Sequence, residues 1–389
     1  MPLWLIIAGL GVTQVISWGT AFFIIGTVSP DIAATTGWPQ TLIFGAFTAA
    51  LLAGGLVSRW AGRMIDVNGG RLLVPIGSAL MALGCMIIAL SPTKAAYLGG
   101  WLLIGVSMRF ATYDPVFASL TQISRDKARH SISALTLMGG LSSTIFWPLN
   151  HFLSQQVGWQ NTFLIHGAFH LLLCLPLHLL ILRDARPLPP DDTADIETDY
   201  LTGRNRSLAI ALFAAALALN GLVFSALSAH VMPLFKGIGL TAAQAVLVSS
   251  LIGPAQVASR LAEMLLGRNL HPAKLGLYAF AIVPISFVVL LLGGFSLPAA
   301  LLFAGIYGAS NGVITIARGV VPLALFGRRG YAEVLGIISA PNLAFSATAP
   351  LIFAWVLGFA TAKQAMMLLG IAALLSSLAM ARLYALQRQ

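Results

Sequence analysis

The chain reads as an all-α membrane protein of twelve transmembrane helices in two pseudo-symmetric six-helix bundles. Three observations predict this. Hydrophobic residues make up 58% of the 389 positions and charged residues only 9%. Apolar runs recur along the whole length, and roughly 20 such residues at 1.5 Å rise cross a ~30 Å hydrocarbon core. Helices satisfy their own backbone groups there, and nothing in the pattern alternates as a barrel strand would. The third observation is a charged motif that occurs twice, AGRMIDVNGGR at 61–71 and ASRLAEMLLGR at 258–268, with an offset of 197 residues. Arg63, Asp66, Gly70 and Arg71 match Arg260, Glu263, Gly267 and Arg268, and Pro75 matches Pro272. The chain is therefore read as two parallel halves.

Apolar runs between polar or Gly/Pro-rich breaks place the spans at 4–28, 41–58, 72–91, 97–119, 132–153, 162–182, 207–231, 243–265, 273–293, 297–318, 334–357 and 361–383. The breaks follow in order. Arg59, Arg63 and Arg71 separate spans 2 and 3, and Lys94 separates 3 from 4. Arg125, Lys127 and Arg129 precede span 5, while Arg183, Arg186, Arg204 and Arg206 sit between the halves. Lys236 precedes span 8, Arg268 and Lys274 flank the start of span 9, Arg328 and Arg329 precede span 11, Lys363 opens span 12, and Arg382 and Arg388 lie in the tail. Sixteen basic residues on alternate connections against three on the others predict that both termini are cytoplasmic. The resulting domains are 1–182, a cytoplasmic linker 183–206, and 207–389. The linker carries Pro187, Pro189 and Pro190, then Asp191, Asp192, Asp195, Glu197 and Asp199, and is read as solvated, with partner binding as the alternative.

The net charge of +10 is spread over short connections rather than gathered in one patch, so a nucleic-acid partner is not expected. Cys85 and Cys174 fall inside apolar runs and are read as free thiols. The first apolar run is too long for a cleaved leader and lacks a basic segment before it. No Ser-His-Asp spacing, phosphate loop or ATP-binding module is recognisable, so neither an enzyme nor a bound cofactor is expected. A two-fold repeat of membrane helices is the pattern of secondary transporters, whose substrate sites lie near the bilayer midplane between the repeats.

Twelve spans, a central linker and GRMIDVNGGR between spans 2 and 3 together resemble the major facilitator superfamily over the whole chain. Gly62, Asp66, Gly70 and Arg71 carry the match. The resemblance implies the major facilitator fold, and a gating role for Arg63, Asp66 and Arg71 at the cytoplasmic ends of neighbouring helices, where charge meets helix dipole. The second copy extends the gating expectation to Arg260, Glu263 and Arg268. SWGTAFF in span 1 and GWPQTLIFGAF are similar to the monocarboxylate porter and oxalate:formate antiporter branch. Trp101 stands near where drug–proton antiporters carry an Arg, and Gly139-Gly140 precedes Phe146-Trp147-Pro148 rather than a Gly-Pro pair. Basic residues in the middle of spans 8 and 11, which the oxalate branch uses, are missing.

Charged residues within spans usually face a cavity, because a cation there costs about 2.5–3.5 kcal/mol on insertion scales. Arg109 is read as an anion contact, since a guanidinium offers two parallel donors to a carboxylate; a structural pairing is the alternative. Asp114, in Tyr113-Asp114-Pro115, is the candidate proton carrier, with a helix-positioning role as the alternative. Five residues on a continuous helix turn about 140°, so these two are not expected to face each other. Asn311, Thr315 and Arg318 share a face of span 10, where Arg318 is read as a gate and interface charge or as a second anion contact. The remaining candidate substrate contacts are Gln14, Trp18, Tyr113, Asn220, Tyr307 and Asn342. His166, His170 and His178 form roughly one stripe on span 6; interhelical hydrogen bonds are expected of them, with proton relay as the alternative and no metal site. His151 and Asn150 are expected at the interface.

The expected function is transport of a small organic anion by alternating access, coupled to protons. The alternatives are export of amphipathic drug-like or siderophore-like compounds, and a non-transporting membrane sensor. The expected setting is the bacterial inner membrane, as a monomer whose partners are lipid, a small-molecule substrate and H+.

Overall fold

The structure, a computed structural model, describes residues 1–90, 93–186, 200–267 and 270–388. Arg268 and the acidic, proline-rich part of the predicted linker lie outside the described residues. Every element among the described residues is helical. Span 1 is α1 (Leu3–Trp18), a π-turn (Gly19–Phe23) and α2 (Ile24–Thr36); α3 (Gln40–Asn68) and α4 (Gly70–Leu90) are spans 2 and 3. Span 4 is broken into α5 (Lys94–Ala111) and α6 (Tyr113–Ser124). Then follow α7 (Ala128–Gly139), α8 (Ser142–Phe169), a second π-turn (His170–Cys174) and α9 (Leu175–Ile181). Lys94–Asp184 is thus one apolar helical stretch of 91 residues, far longer than one crossing. It divides where Arg125 (φ 44°) and Gly158 (φ 80°, ψ 163°) reverse the chain, which yields spans 4, 5 and 6. Spans 7 to 12 are α10 (Gly203–Gly237), α11 (Ala242–Leu266), α12 (Pro272–Leu292), α13 (Leu297–Phe326), α14 (Tyr331–Val356) and α15 (Ala362–Gln387).

The chain forms two compact units. The first is Met1–Glu197 with the segment Arg328–Gly336; the second is Thr198–Gly327 with Ile337–Gln389. In the first unit α5 packs on α3 and α4, α4 packs on α8, and α1 packs on α7. In the second unit α13 packs on α11 and α12, and α15 packs on α10 and α12. The same device sets both central contacts. A Cβ on Gly105 would run into the backbone carbonyl of Ala50, and one on Gly54 would lie 2.7 Å from the Gly105 carbonyl oxygen. In the second unit a Cβ on Gly308 would lie 2.5 Å from Ile252 O, and one on Gly312 2.5 Å from Gln256 O. Small residues at these four places let backbones touch, as membrane helices need in the absence of a hydrophobic drive between them.

The break in span 4 has a local cause. Pro115 has no N–H to give the carbonyl of Ala111, four residues earlier, and its ring crowds that carbonyl. Thr112 accordingly adopts extended backbone (φ −96°, ψ −162°), and a new helix starts at Tyr113. The released Ala111 carbonyl accepts instead from Gln14 Nε2 of α1 at 2.9 Å.

Candidate functional site

The break decides where the charges of span 4 point. With the helix interrupted at Thr112, the 140° offset expected of Arg109 and Asp114 no longer applies. Arg109 Nη1 donates to Asp114 Oδ2 at 2.9 Å, and the two side chains are 4% and 7% exposed. This corrects the sequence expectation that the pair would not meet. Arg109 Nη2 also donates to Thr112 Oγ1 at 3.2 Å, and that hydroxyl donates to Met108 O at 2.7 Å. Arginine, threonine and aspartate therefore stitch the two helix ends together from the inside. Because a broken buried pair leaves an uncompensated charge in low dielectric, the pair is a strong constraint on the local backbone.

Around this pair the structure gathers Gln14, Trp18 and Tyr113. The Trp18 and Tyr113 rings lie 5.2 Å apart, Tyr113 stacks on Phe117 at 5.3 Å, and Trp18 reaches Phe22 at 5.9 Å. Phe22 contacts Phe47, which contacts Trp101. A Cβ on Gly139 would collide with the Tyr113 hydroxyl, so this glycine sets the position of that ring. Gln14 Oε1 and Trp18 Nε1, an acceptor and a donor one turn apart, are buried without a protein partner.

In the second unit Asn220 Nδ2 donates to Asn311 Oδ1 at 3.2 Å, and Asn311 Nδ2 donates to Tyr307 O at 3.0 Å. Tyr307 is fully buried against Phe303 and Phe287. Asn342 is turned to the Leu217 carbonyl (2.6 Å). Arg318 does not end its helix, which runs on to Phe326; it donates to Ser339 Oγ at 2.9 Å. Arg260 and Glu263 are buried, at 5% and 7% exposure, and Arg260 donates to Gly312 O at 3.3 Å and to Thr315 Oγ1 at 3.2 Å. The second motif copy thus turns into its own bundle.

The first copy behaves differently. Arg63 is exposed and Arg71 half-buried. Asp66 accepts from the backbone N–H groups of Ala332 (3.1 Å) and Glu333 (2.8 Å), in the first turn of α14. It therefore caps a helix N-terminus, where a carboxylate is favoured. A Cβ on Gly62 would strike the Ala332 carbonyl, which explains that glycine. Arg59 pairs with Glu333 at 2.9 Å. Gln122 of α6 holds the motif loop, accepting from Gly70 N at 3.1 Å and donating to Ile65 O at 3.4 Å.

The histidines make the interhelical hydrogen bonds expected of them, to Thr13, Thr20, Ser78 and Asn150. Asn150 is fully buried, and His151 is exposed. Thr112, Gln122 and Ser339 escaped the sequence reading. Pro115 was the available signal for Thr112, and the others carry none.

The chain belongs to the Major Facilitator Superfamily, whose family profile matches residues 10–316. Membership places it among membrane transporters rather than enzymes. The multidrug resistance protein MdtL of Klebsiella pneumoniae is 26% identical over 179 residues, 45% of this chain and 44% of that protein. The multi-drug resistance efflux pump PmrA homolog of Lactococcus lactis is 34% identical over 127 residues, 32% of this chain and 30% of that protein. The chain thus spans under half the length of these curated relatives. They are multidrug-type and do not support the monocarboxylate or oxalate branch. The human organic anion transporter MFSD10 (TETRAN) shares the fold with a TM-score of 0.76 at 16% identity, covering 98% of this chain and 100% of that one. The proton:xylose symporter XylE does so with a TM-score of 0.72 at 14% identity, covering 97% and 94%.

Proposed function

We propose that this protein is a secondary transporter that exports amphipathic, drug-like small molecules in exchange for protons, in preference to one that carries a small organic anion. The burial of Arg109 against Asp114 carries the reading. A guanidinium already neutralised by a carboxylate 2.9 Å away is not on offer to a free anion. Aromatic rings line its neighbourhood, and Gln14 and Trp18 present one acceptor and one donor beside them. Such a surface suits a ligand with an apolar ring and few polar groups. The partial similarity to two multidrug-type relatives supports the same direction. On this reading Asp114 takes the coupled proton, which removes the charge that Arg109 balances and frees the stitch across the span 4 break. The protein acts as a monomer in the inner membrane with both termini cytoplasmic.

Organic-anion transport is the second reading, favoured by the guanidinium of Arg318 in the interior of α13, eight residues before that helix ends. Proteoliposomes under an imposed pH gradient separate the two. Saturable, gradient-driven accumulation of ethidium or a related lipophilic dye is expected. Movement of carboxylates without dyes, lost in Arg318→Gln, would replace the first reading by the second.

A further inference from the structure

A second polar system lies inside the first unit, apart from Arg109 and Asp114. Thr13, Ser17 and Thr20 succeed one another at about one helical turn along α1 and its π-turn, and each is fully buried. His178, His170 and His166 of span 6 are also fully buried and meet them. Thr20 Oγ1 lies 2.8 Å from His166 Nδ1 and 3.2 Å from His170 Nε2, while His166 Nε2 lies 2.8 Å from Asn150 Oδ1. One turn and more away, His178 Nε2 lies 2.9 Å from Thr13 Oγ1 and His178 Nδ1 lies 2.8 Å from Ser78 Oγ. No carboxylate, Lys or Arg bonds to any of these groups among the described residues; the other titratable groups nearby are the thiols of Cys174 on span 6 and Cys85 on α4.

The hydrogen positions follow from the partners. Thr20 has one hydroxyl proton and sits between two ring nitrogens, so it donates to one and accepts from the other. With Asn150 Oδ1 accepting from His166 Nε2–H, His166 Nδ1 accepts from Thr20, and Thr20 accepts from His170 Nε2–H. His170 Nδ1 is then a bare lone pair. It has no protein partner, and neither has Ser17 Oγ. Ser17 follows Thr13 by four residues and precedes Thr20 by three. Two orphaned polar atoms along one seam are a poor packing solution, since each costs desolvation with no bond in return. Each suits a water molecule.

We propose that this seam is a proton-binding site, loaded through water held at Ser17 and His170 and ending on His166; it rests on the proton-driven reading above. The transfer balances atom by atom. One proton adds to His170 Nδ1, the Nε2 proton of His170 passes to Thr20, and the former hydroxyl proton passes to His166 Nδ1. His166 becomes imidazolium, donating to Asn150 Oδ1 and Thr20 Oγ1. His170 stays neutral in its other tautomer, accepting from Thr20. The Phe146 and Phe169 rings flank His166 with centroids at 5.4 and 6.0 Å, surroundings that favour a cation over an equally apolar aliphatic wall.

The test uses the full chain in proteoliposomes, with a trapped pH dye reporting protons and ethidium as the carried probe. Ser17→Ala and Thr20→Val are expected to lower proton movement per ethidium about twofold, as one of two proton sites is lost and Asp114 keeps its own, while gradient-free ethidium exchange stays at the wild-type rate. Ser17→Ala is decisive, because removing an unpaired hydroxyl should be harmless if the seam only packs helices. Wild-type proton movement in both variants overturns the proposal. A wild-type protein that carries no dye in either assay defeats the functional reading instead. The seam is then judged by nitrogen NMR of labelled histidines, where acidification should produce an imidazolium signal that His166→Gln removes; no such signal overturns it.

Discussion

Arg109 and Asp114 form a buried ion pair across a helix break that their own neighbour creates. Five residues on an unbroken helix would hold them on different faces. Pro115 withdraws the N–H that Ala111 would have used, Thr112 swings into extended backbone, and the carboxylate comes to 2.9 Å from the guanidinium. The pair is thus a product of backbone chemistry as much as of charge.

Removing one member should therefore cost more than removing both. Arg109→Met or Asp114→Leu alone leaves one buried charge and is expected to destabilise the protein by about 3–5 kcal/mol, whereas the double replacement returns most of that loss. Thermal unfolding in detergent, analysed as a double-mutant cycle, measures the coupling. Equal and additive losses would show that the pair is not interacting. Asp114→Asn, which keeps the shape, should still exchange ethidium but lose the share of the coupled protons that Asp114 carries, leaving only what the histidine seam moves.

Pro115→Ala restores a donor for the Ala111 carbonyl and so competes with Gln14 Nε2, which now bonds it at 2.9 Å. The variant should make span 4 more continuous and raise the melting temperature, by an amount corresponding to about 0.5–1.5 kcal/mol for one regained hydrogen bond. It should also slow transport, because the break positions Asp114. Gln14→Leu in the parent should act in the opposite sense on stability. A Pro115→Ala protein with unchanged transport would detach the break from function.

Much of this was legible in the sequence, and the misses have a pattern. Span positions and the repeat followed from composition and periodicity, which act over many residues at once, and the superfamily from the resemblance carried by GRMIDVNGGR. The meeting of Arg109 with Asp114 did not, because a geometric rule for unbroken helices was applied across Tyr113-Asp114-Pro115. The two motif copies looked equivalent, yet Asp66 caps α14 while Arg260 turns onto Thr315 of α13. Repetition in sequence fixes depth in the bundle, not the partner that a long side chain finds. The partner of Asn150 was hidden for a similar reason, since only the fold brings His166 to it.

The aromatic wall gives a prediction about selectivity. Gly139→Ala would push a methyl group into the Tyr113 hydroxyl and displace a ring that lies 5.2 Å from Trp18. The expected result is weaker binding of bulky planar dyes, by about 1–3 kcal/mol for one displaced contact surface, with smaller ligands less affected. Dye-binding titrations on the purified protein, comparing a large and a small ligand, would show the change in rank. Uniform loss for both would mean that Tyr113 supports the fold rather than the site.

The last prediction contrasts two interactions at the start of α14. Asp66 receives two backbone N–H groups there, and Arg59 pairs with Glu333 one position along. The Arg59 side chain is 70% exposed, so that pair is worth at most about 1 kcal/mol and Arg59→Ala should scarcely change the melting temperature. Asp66 satisfies donors that a helix start otherwise leaves bare, so Asp66→Ala should cost about 1–2 kcal/mol, and Asp66→Asn, which keeps an acceptor oxygen, less. Salt distinguishes the two further. High ionic strength should erase what little Arg59 contributes and leave the Asp66 effect largely in place, since capping depends on directed hydrogen bonds rather than on screened charge. Unfolding curves of the three variants at low and high salt check the ordering, and a salt-sensitive Asp66 effect equal to that of Arg59 would reduce the cap to a surface ion pair.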